Sequence, residues 1–201
     1  MGILAVDLFV TLDGVYQAPG GPDEDTSGGF GFGGWQAPYF DDESGATIGA
    51  GLERLDALLL GRTTYDIFAG YWPNQGDDPI AVKLNAVPKF VASRTLTEAS
   101  WAGTTVLSDA APEVQTLKER FEEIHVIGSG DLARGLIAAG LVDRLNLYVY
   151  PVVFGTGKRL FDGAFPAAFR LAEPPVAFPK GAVLLVYEPA GVPVTGITMG
   201  D

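Results

Sequence analysis

The sequence predicts an α/β fold: a mostly parallel central sheet with helices on both faces and an antiparallel strand pair at its C-terminal edge. Short apolar runs typical of buried strands alternate with segments of helical periodicity through most of the chain. Two late apolar runs flank Pro179-Lys180-Gly181, and this turn favours an antiparallel pair. The length of 201 residues and a hydrophobic content of 47% suit one domain with a sizeable core.

The first predicted strand covers Ile3 to Val10, a continuous apolar run interrupted by Asp7. Residues 11 to 35 follow as a long glycine-rich loop, which inside a compact domain is usually functional or mobile. A floppy surface insertion is the alternative. We favour a lid or a wall of a substrate site, because the region carries large aromatic side chains: Phe30, Phe32, Trp35, Tyr39 and Phe40.

Helices and strands alternate through the middle of the chain. Residues 43 to 57 carry apolar side chains at helical spacing, and Thr63 to Gly70 are predicted to form a short helix. Short strands are predicted at Leu58 to Leu60, Lys89 to Ala92, Thr104 to Leu107 and Ile124 to Ile127.

Two later helices are predicted from their ends. One runs from Pro112 to Glu122, with Pro112 in its first turn. The other is expected to have Asp131 as its cap and to end at Gly140. Leu145 to Phe154 is the longest strand candidate, broken by Pro151.

The C-terminal part is expected to close the sheet. Phe169 to Phe178 and Ala182 to Glu188 are predicted as the antiparallel pair. Residues 1–189 then form a single domain, and residues 190–201 form a loosely held tail.

Composition excludes several classes of function. The formal net charge of −12 is unfavourable for non-specific nucleic-acid binding, which needs a cationic surface. The chain has no cysteine and His125 is its only histidine, so thiolate nucleophiles, disulfides and multi-histidine metal sites are excluded. Nothing resembles a signal peptide or a membrane-spanning helix, so a soluble cytoplasmic protein is expected.

Three segments that follow predicted strands are suited to hold phosphate groups. They are Gly61-Arg62-Thr63, Ser93-Arg94 and Gly128-Ser129-Gly130. The first and third open predicted helices, whose free N–H groups and positive dipole end attract anions. Arginine pairs with phosphate oxygens bidentately, and a hydroxyl beside a guanidinium suits a monophosphate such as the 2′-phosphate of NADP. Together they predict a site for a long polyanionic cofactor.

Each segment alone also has a simpler interpretation. The first, in which Thr63 can cap the helix, is compatible with an ordinary turn and a solvated arginine. The second is compatible with a polar strand end, and the third with a tight turn that binds nothing. The third also departs from the dinucleotide fingerprint G-x-G-x-x-G, because Ala133 stands at the last position.

In this order the segments resemble the dihydrofolate-reductase-like fold, and in particular the reductase domain of bifunctional riboflavin-biosynthesis proteins and its stand-alone relatives. The resemblance covers Phe9 to about Glu188. It rests on Phe9 to Val15, Leu59 to Tyr65, Val126 to Gly130, Asp143 to Leu145, Pro151 to Gly157 and Leu160-Phe161. It implies the three-layer α/β/α arrangement of that fold.

The resemblance implies NADPH as the cofactor and assigns residues to it. The end of the first strand, Val10 to Tyr16, would lie near the nicotinamide. The residues placed on the cofactor are Val10, Gly61, Arg62, Thr63, Ser93, Arg94, Gly128, Ser129, Gly130, Asp131 and Leu132, the last five on the pyrophosphate through backbone N–H groups. The residues placed around the substrate are Trp35, Tyr39, Phe40 and Asp41.

Asp41 and Tyr16 are the candidate catalytic residues. An aromatic-flanked, partly desolvated Asp41 would have a raised pKa and serve as an acid, whereas the alternative is a carboxylate that stabilises a helix N-terminus. Lys158 and Arg159 could meet a substrate phosphate, although a solvated basic pair is favoured. His125 is predicted to be a satisfied histidine within the sheet.

The resemblance implies an NADPH-dependent reductase that transfers a hydride to a C=N or C=O carbon of a flat heterocycle or sugar imine. The activity named for the family is reduction of 5-amino-6-(5-phosphoribosylamino)uracil. A reductase of a pterin or another small carbonyl compound, or a nucleotide-binding protein without catalysis, stays open as an alternative. A homodimer formed through the apolar late strands and the Pro151 loop is also expected.

Overall fold

The structure is a computed structural model that describes residues 1–163 and 165–198. The strands are β1 (Ile3–Thr11), β2 (Ala57–Gly61), β3 (Lys89–Ala92), β4 (Thr104–Leu107), β5 (Glu123–Ile127), β6 (Arg144–Tyr150), β7 (Phe169–Leu171), β8 (Val176–Ala177) and β9 (Val183–Pro189). The α-helices are α1 (Asp42–Glu53), α2 (Arg62–Tyr71), α3 (Pro79–Ala86), α4 (Ala110–Arg120) and α5 (Gly130–Ala138). Short 3-10 turns lie at Ser27–Gly29, Ala37–Tyr39 and Trp72–Asn74.

All the strands belong to one sheet, with the order β4-β3-β2-β5-β1-β6-β9-β7 and with β8 also paired to β9. The strands from β4 to β6 in this order are parallel to their neighbours. β9 pairs antiparallel with β6, β7 and β8. The predicted mostly parallel sheet with an antiparallel C-terminal edge is therefore confirmed.

Alternate residues of the strands face two different cores, as expected for a sheet covered on both faces. Leu59 packs in a cluster that includes buried side chains of α4 and α5. Leu58 and Leu60 pack in another cluster with α1, α2 and α3. Helices on both faces of the sheet are the three layers that the sequence predicts.

Several element boundaries differ from the prediction. α1 ends at Glu53 rather than at residue 57, because Ala57 already belongs to β2. β6 ends at Tyr150, since Pro151 has no N–H with which to continue the ladder. α3 was not predicted at all, although Asp78 caps it by accepting hydrogen bonds from backbone N–H groups and a proline occupies its first position.

The glycine-rich loop packs against the sheet and is not a floppy insertion. Phe30 and Trp35 are buried in a cluster with Tyr148 and Tyr150 of β6. The indole of Trp35 meets the ring of Tyr150 edge-on, with 5.3 Å between the ring centroids. Aromatic packing therefore fixes the loop beside the carboxyl ends of the strands, and its role as a lid or wall of a substrate site stays a prediction.

The C-terminal segment is tied down where it leaves the sheet. Ala190 donates a backbone hydrogen bond to Ala168, which in turn donates to Gly191. The start of the predicted loose tail is therefore held, and residues 199–201 lie outside the described residues. Leu171 and Val176 are exposed on the edge strands, and the homodimer stays a prediction. No helix within 1–163 and 165–198 is long and apolar enough to cross a bilayer.

A buried polar network joins the central strands. His125 Nδ1 lies 2.6 Å from an Asp7 carboxylate oxygen, and its Nε2 lies 3.0 Å from Glu123 Oε1. Glu123 also accepts from Arg144, and Asn146 donates to Asp7 at 2.7 Å. Both ring nitrogens of the buried His125 have partners, which confirms the prediction of a satisfied sheet histidine.

The network predicts a pH-dependent stability. Burial alone would lower the pKa of His125, but the hydrogen bonds and charges of Asp7 and Glu123 outweigh it and raise the pKa above 6.5. The stabilisation is therefore complete below the unfolded-state pKa and is lost as the pH rises through the folded-state pKa. Urea unfolding at a series of pH values should show this loss, and a His125→Gln variant should lack it. If the free energy of unfolding depended on pH identically in the two proteins, the pH dependence could not come from His125.

Candidate functional site

A cleft of about 710 Å³ opens at the carboxyl ends of the parallel strands. The turns that follow β2, β3 and β5 all line it, so the three segments singled out in the sequence come together. The predicted cofactor residues that line the cleft are Gly61, Arg62, Thr63, Ser93, Arg94, Gly128, Ser129, Gly130, Asp131 and Leu132. This edge is where open α/β sheets bind ligands, and one elongated ligand can reach all three turns.

The first turn leads directly from β2 into α2. Gly61 is the N-cap and the helix begins at Arg62, so the prediction that Thr63 caps the helix is wrong. Thr63 instead lies exposed in the first turn and lines the cleft. Arg62 Nε donates to both carboxylate oxygens of Asp66, at 2.9 and 2.8 Å. Within the described residues only this nitrogen of the guanidinium is engaged, which leaves the two terminal nitrogens for a ligand.

The second turn presents an unpaired arginine. Ser93 Oγ accepts hydrogen bonds from the N–H groups of Thr95 and Leu96, at 3.3 and 3.0 Å, and so closes the turn. Arg94 is exposed on the cleft. Across residues 1–163 and 165–198 it forms no ion pair with an acidic side chain. The Ser93 hydroxyl proton and the Arg94 guanidinium are thus both available to an anion.

The third turn opens α5. The helix begins at Gly130 and its N-cap is Ser129 in the left-handed conformation (φ 54°, ψ 44°), so the prediction that Asp131 is the cap is wrong. The first three N–H groups of an α-helix have no partner inside the helix. Here they belong to Gly130, Asp131 and Leu132, which line the cleft. Together with the positive end of the helix dipole they are chemically suited to an anion.

Two N–H groups predicted to bind pyrophosphate are already engaged. Gly128 donates to the Asp7 carbonyl at 3.0 Å, and the Ser129 N–H donates to Thr64 Oγ1 at 3.1 Å. Ser129 Oγ accepts from the Gly61 N–H at 2.9 Å. Ser129 therefore links the first turn to the third, and the prediction that Gly128 and Ser129 bind pyrophosphate through their own N–H groups is wrong.

Tyr16 lies over the start of α5. A Cβ at Gly130 would stand 2.3 Å from Tyr16 Cε1, so this approach requires glycine. The Tyr16 hydroxyl donates to Asp131 Oδ1 at 3.4 Å. Burial and the Asp131 carboxylate raise the pKa of Tyr16, which stays protonated near neutral pH. Its position at the cleft agrees with the prediction, and its catalytic role stays a prediction.

Several residues predicted to touch cofactor or substrate lie away from the cleft: Val10, Trp35, Tyr39 and Phe40. Val10 is buried in the core with α4 and α5, whereas Phe9 points to the opposite face of β1 and lines the cleft. The indole of Trp35 donates to the Gln17 carbonyl at 2.8 Å and supports the loop from behind. Gln36, the next residue, faces the cleft in its place.

Asp41 is a helix cap. Its carboxylate accepts from the Ser44 N–H at 2.8 Å and from the Lys180 N–H at 3.1 Å. The hydrogen bonds from Ser44, chiefly, and from Lys180 lower the pKa of Asp41. The expected raised pKa is therefore wrong, and the alternative of a carboxylate at a helix N-terminus is what the structure shows.

Gln17 organises a part of the cleft that the sequence analysis missed. Its amide nitrogen donates to the carbonyls of Asp25 and Ser27, at 3.0 and 2.9 Å. Its amide oxygen accepts from the Lys158 N–H at 3.1 Å. These bonds join the glycine-rich loop to the segment after β6. No sequence signal identifies such a hub, because all but one of the partners of its side-chain amide are backbone groups and one is 141 residues away.

Glu24 is the second missed residue. One of its oxygens, Oε2, accepts from the N–H groups of Gly20 and Gly21, at 2.6 and 3.0 Å. The other oxygen has no partner within the described residues, and Glu24 lines the cleft. Burial raises the pKa of this carboxyl, and the two N–H bonds offset only part of the effect. The acidic run Asp23-Glu24-Asp25 gave the only hint in the sequence.

Lys158 and Arg159 each form an ion pair with a carboxylate. Lys158 Nζ lies 2.6 Å from Asp25 Oδ2, and Arg159 lies 3.1 Å from Asp13 Oδ2. The interpretation as a solvated basic pair is therefore wrong. The reason is the glycine-rich loop, which brings both acidic partners back over the segment that follows β6.

Comparison with known proteins agrees with this fold. Residues 3–174 match the family model of the RibD C-terminal domain. The uncharacterized protein YyaP of Bacillus subtilis (strain 168) is 30% identical over 190 residues, which are 92% of this chain and 93% of YyaP. A protein of Shewanella sp. PV-4, described as a candidate riboflavin biosynthesis protein, superimposes with a TM-score of 0.71 at 20% identity, over 93% of this chain and 98% of that one.

A larger protein shares the fold over part of its length. The Thermotoga maritima diaminohydroxyphosphoribosylaminopyrimidine deaminase/5-amino-6-(5-phosphoribosylamino)uracil reductase matches with a TM-score of 0.62 at 17% identity. The match covers 94% of this chain and 57% of that protein. The sheet order and flanking helices are those of the dihydrofolate-reductase-like fold. With its sequence and its architecture in agreement, this chain belongs to the RibD C-terminal domain family.

Proposed function

We propose that the protein is an NADPH-dependent reductase of a flat heterocyclic compound. The observation that carries the proposal is the convergence of two helix N-termini and two arginines on one cleft. In a chain with a net charge of −12, this concentration of anion-binding groups marks a site for a polyanion.

The donor groups fit a dinucleotide phosphate. We call Arg62, Arg94 and the start of α5 the cofactor end of the cleft. Gly130, Asp131 and Leu132 would hold the pyrophosphate, and Ser93 with Arg94 would hold the 2′-phosphate. When bound, NADPH supplies the hydride from its nicotinamide ring. The protein would hold the two reactants at the distance and orientation that hydride transfer requires.

The rest of the cleft suits a planar substrate. We call the part lined by Phe9, Gln17, Glu24, Asp25 and Lys158 the substrate end. The aromatic ring of Phe9 lines this end, while Phe68 and Trp72 line the same cleft from α2 and the turn after it, and rings of this kind pack against flat heterocycles. Polar groups beside them supply orientation, as in most small-molecule sites.

Glu24 is the carboxylic acid that we propose as the proton donor. It lies in the cleft, has one oxygen without a partner among the described residues, and is held in place by the N–H groups of Gly20 and Gly21. Its raised pKa keeps a larger share of it protonated near neutral pH than an ordinary glutamic acid. Asp41 lacks these properties.

A Glu24→Gln variant should retain NADPH binding and lose turnover. Glutamine keeps an oxygen for the Gly20 and Gly21 N–H groups but cannot give a proton, so kcat should fall about a hundredfold or more. In the glutamine variant, the profile of kcat against pH should also lack the decline that reports deprotonation of this acid. Asp23→Asn, which neutralises the exposed neighbouring carboxylate, is the matched control and should leave kcat unchanged. An unaltered kcat in the glutamine variant would exclude Glu24 as the donor.

The proposed function is tested by following NADPH oxidation with a panel of pterins, aminopyrimidines and small carbonyl compounds. Oxidation that depends on one of these compounds supports a reductase. Tight NADPH binding without turnover of any compound would favour a nucleotide-binding protein without catalysis. Absence of NADPH binding would refute the proposal.

A further inference from the structure

We propose that the substrate of this protein carries no phosphate group: the cleft takes an uncharged or cationic planar heterocycle, such as a free base, a pterin or a nucleoside. The inference rests on the proposed function and narrows its substrate class. It departs from the phosphoribosyl compound in the name of the Thermotoga maritima enzyme.

The strand order separates the two ends of the cleft. The turns after β3, β2 and β5 succeed one another along the sheet and form the cofactor end, and β1 and β6 follow. The glycine-rich loop leaves β1, and Lys158 lies in the segment after β6. A cofactor held at β3, β2 and β5 therefore leaves the region beside β1 and β6 to the substrate.

Among residues 1–163 and 165–198, the substrate end holds a single cation, and that cation is already paired. The charged residues of this end are Lys158, Asp25 and Glu24. Lys158 Nζ lies 2.6 Å from Asp25 Oδ2, and the Lys158 backbone is fixed by Gln17. Lys158 and Asp25 cancel each other, and Glu24 adds either no charge or a negative one.

Asp25 is firmly held as a carboxylate. It accepts hydrogen bonds from the Ser27 N–H and hydroxyl, at 3.1 and 2.5 Å, in addition to Lys158. Burial alone would raise the pKa of Asp25, but the bonds from Lys158 and Ser27 outweigh it and lower the pKa. The group stays ionised at neutral pH, so movement of Lys158 away from it would expose an unpaired carboxylate to the substrate.

A substrate phosphate would meet an unfavourable environment here. It would lose its hydration without gaining an unpaired cation, and it would lie beside the Asp25 carboxylate. Like charges brought together at a binding site oppose binding strongly. The remaining arginines of the cleft, Arg62 and Arg94, lie at the cofactor end. An uncharged heterocycle incurs none of these costs and still packs on the aromatic rings.

The test uses two ligands that differ only in the phosphate: 5-amino-6-(5-phosphoribosylamino)uracil and its dephosphorylated counterpart. Each is titrated calorimetrically into the protein saturated with NADP⁺, so that no turnover intervenes. The dephosphorylated compound should bind at least about tenfold more tightly. Tighter binding of the phosphorylated compound, or binding of neither, would overturn the proposal. The preceding titration with NADP⁺ alone tests the proposed function separately.

Two variants test whether the Lys158–Asp25 pair causes the preference for the dephosphorylated ligand. Asp25→Asn keeps an oxygen for Ser27 but releases Lys158, so the preference should shrink or reverse, whereas Asp23→Asn should leave it unchanged. Lys158→Met removes the cation and should not selectively weaken binding of the phosphorylated ligand, because in the parent protein Lys158 is paired with Asp25 and does not bind the phosphate. Selective weakening in this variant, or an unchanged preference in Asp25→Asn, would show that the Lys158–Asp25 pair does not set the specificity.

Discussion

Replacing Arg94 with alanine is expected to raise the Kd of NADPH by about tenfold to a hundredfold while leaving that of NADH nearly unchanged. The reason is that the Arg94 guanidinium, which has no acidic partner in the described part of the chain, follows Ser93, and these two residues are proposed to hold the 2′-phosphate. A hydrogen bond to a charged group contributes about 1.5–3 kcal/mol, which corresponds to this range. Calorimetric titration with each dinucleotide measures both values.

Arg120→Ala is the matched control for this substitution. It removes the same charge, but Arg120 lies at the C-terminal end of α4, which leads into the amino end of β5 on the opposite edge of the sheet. If Arg94→Ala and Arg120→Ala weakened NADPH binding equally, the effect would come from the overall charge of the protein and not from the position of Arg94. If Arg94→Ala raised the Kd of NADPH and of NADH by the same factor, Arg94 would not be the residue that binds the 2′-phosphate.

Replacing Glu123 with alanine is expected to lower the free energy of unfolding by about 3–5 kcal/mol, the range for breaking a buried ion pair from one side. Glu123 is 8% exposed and serves both His125 Nε2 and the Arg144 guanidinium. Removing its carboxylate leaves the largely buried Arg144 guanidinium without its ion-pair partner and His125 with Asp7 as its one remaining carboxylate partner within the described residues. Because a domain is typically stable by only about 5–15 kcal/mol, the loss is a large share of the total.

Urea unfolding of Glu122→Ala provides the control for Glu123→Ala. Glu122 precedes Glu123 in the chain but is exposed, so its truncation should change the free energy of unfolding by no more than about 0.5 kcal/mol. A shift in the urea midpoint without a change in slope would show that stability alone has changed. Similar stabilities for the two variants would contradict the role given to the buried network.

Most of the fold could be predicted because its signals are local. The apolar runs of β2, β3 and β5 sit beside helices with one apolar face, and this alternation specifies a parallel sheet. α3 escaped prediction because it is short and its helical character depends on the cap at Asp78. The start of α5 was misplaced by two residues, at Asp131 instead of Ser129, because the left-handed conformation of Ser129 is unusual for a residue other than glycine.

The candidate site was only partly predictable, for a physical reason. Arg94 and the start of α5 follow strands, and the carboxyl ends of parallel strands meet at one edge whatever the details of packing. Glu24, Asp25 and Lys158 are brought together by a loop whose path depends on buried aromatic rings and on Gln17. Such long-range contacts leave no periodicity in the sequence, and the same loop buries the predicted Trp35 behind the site.

The proposed function depends most directly on binding of the NADPH pyrophosphate at the start of α5. The most direct test follows the backbone amide NMR signals of the isotope-labelled protein while NADPH is added. The signals of Gly130, Asp131 and Leu132 should shift in a saturable manner, together with those of the first turn of α2. If NADPH leaves these signals in place, or moves only signals on another face of the molecule, the proposed cofactor site is wrong.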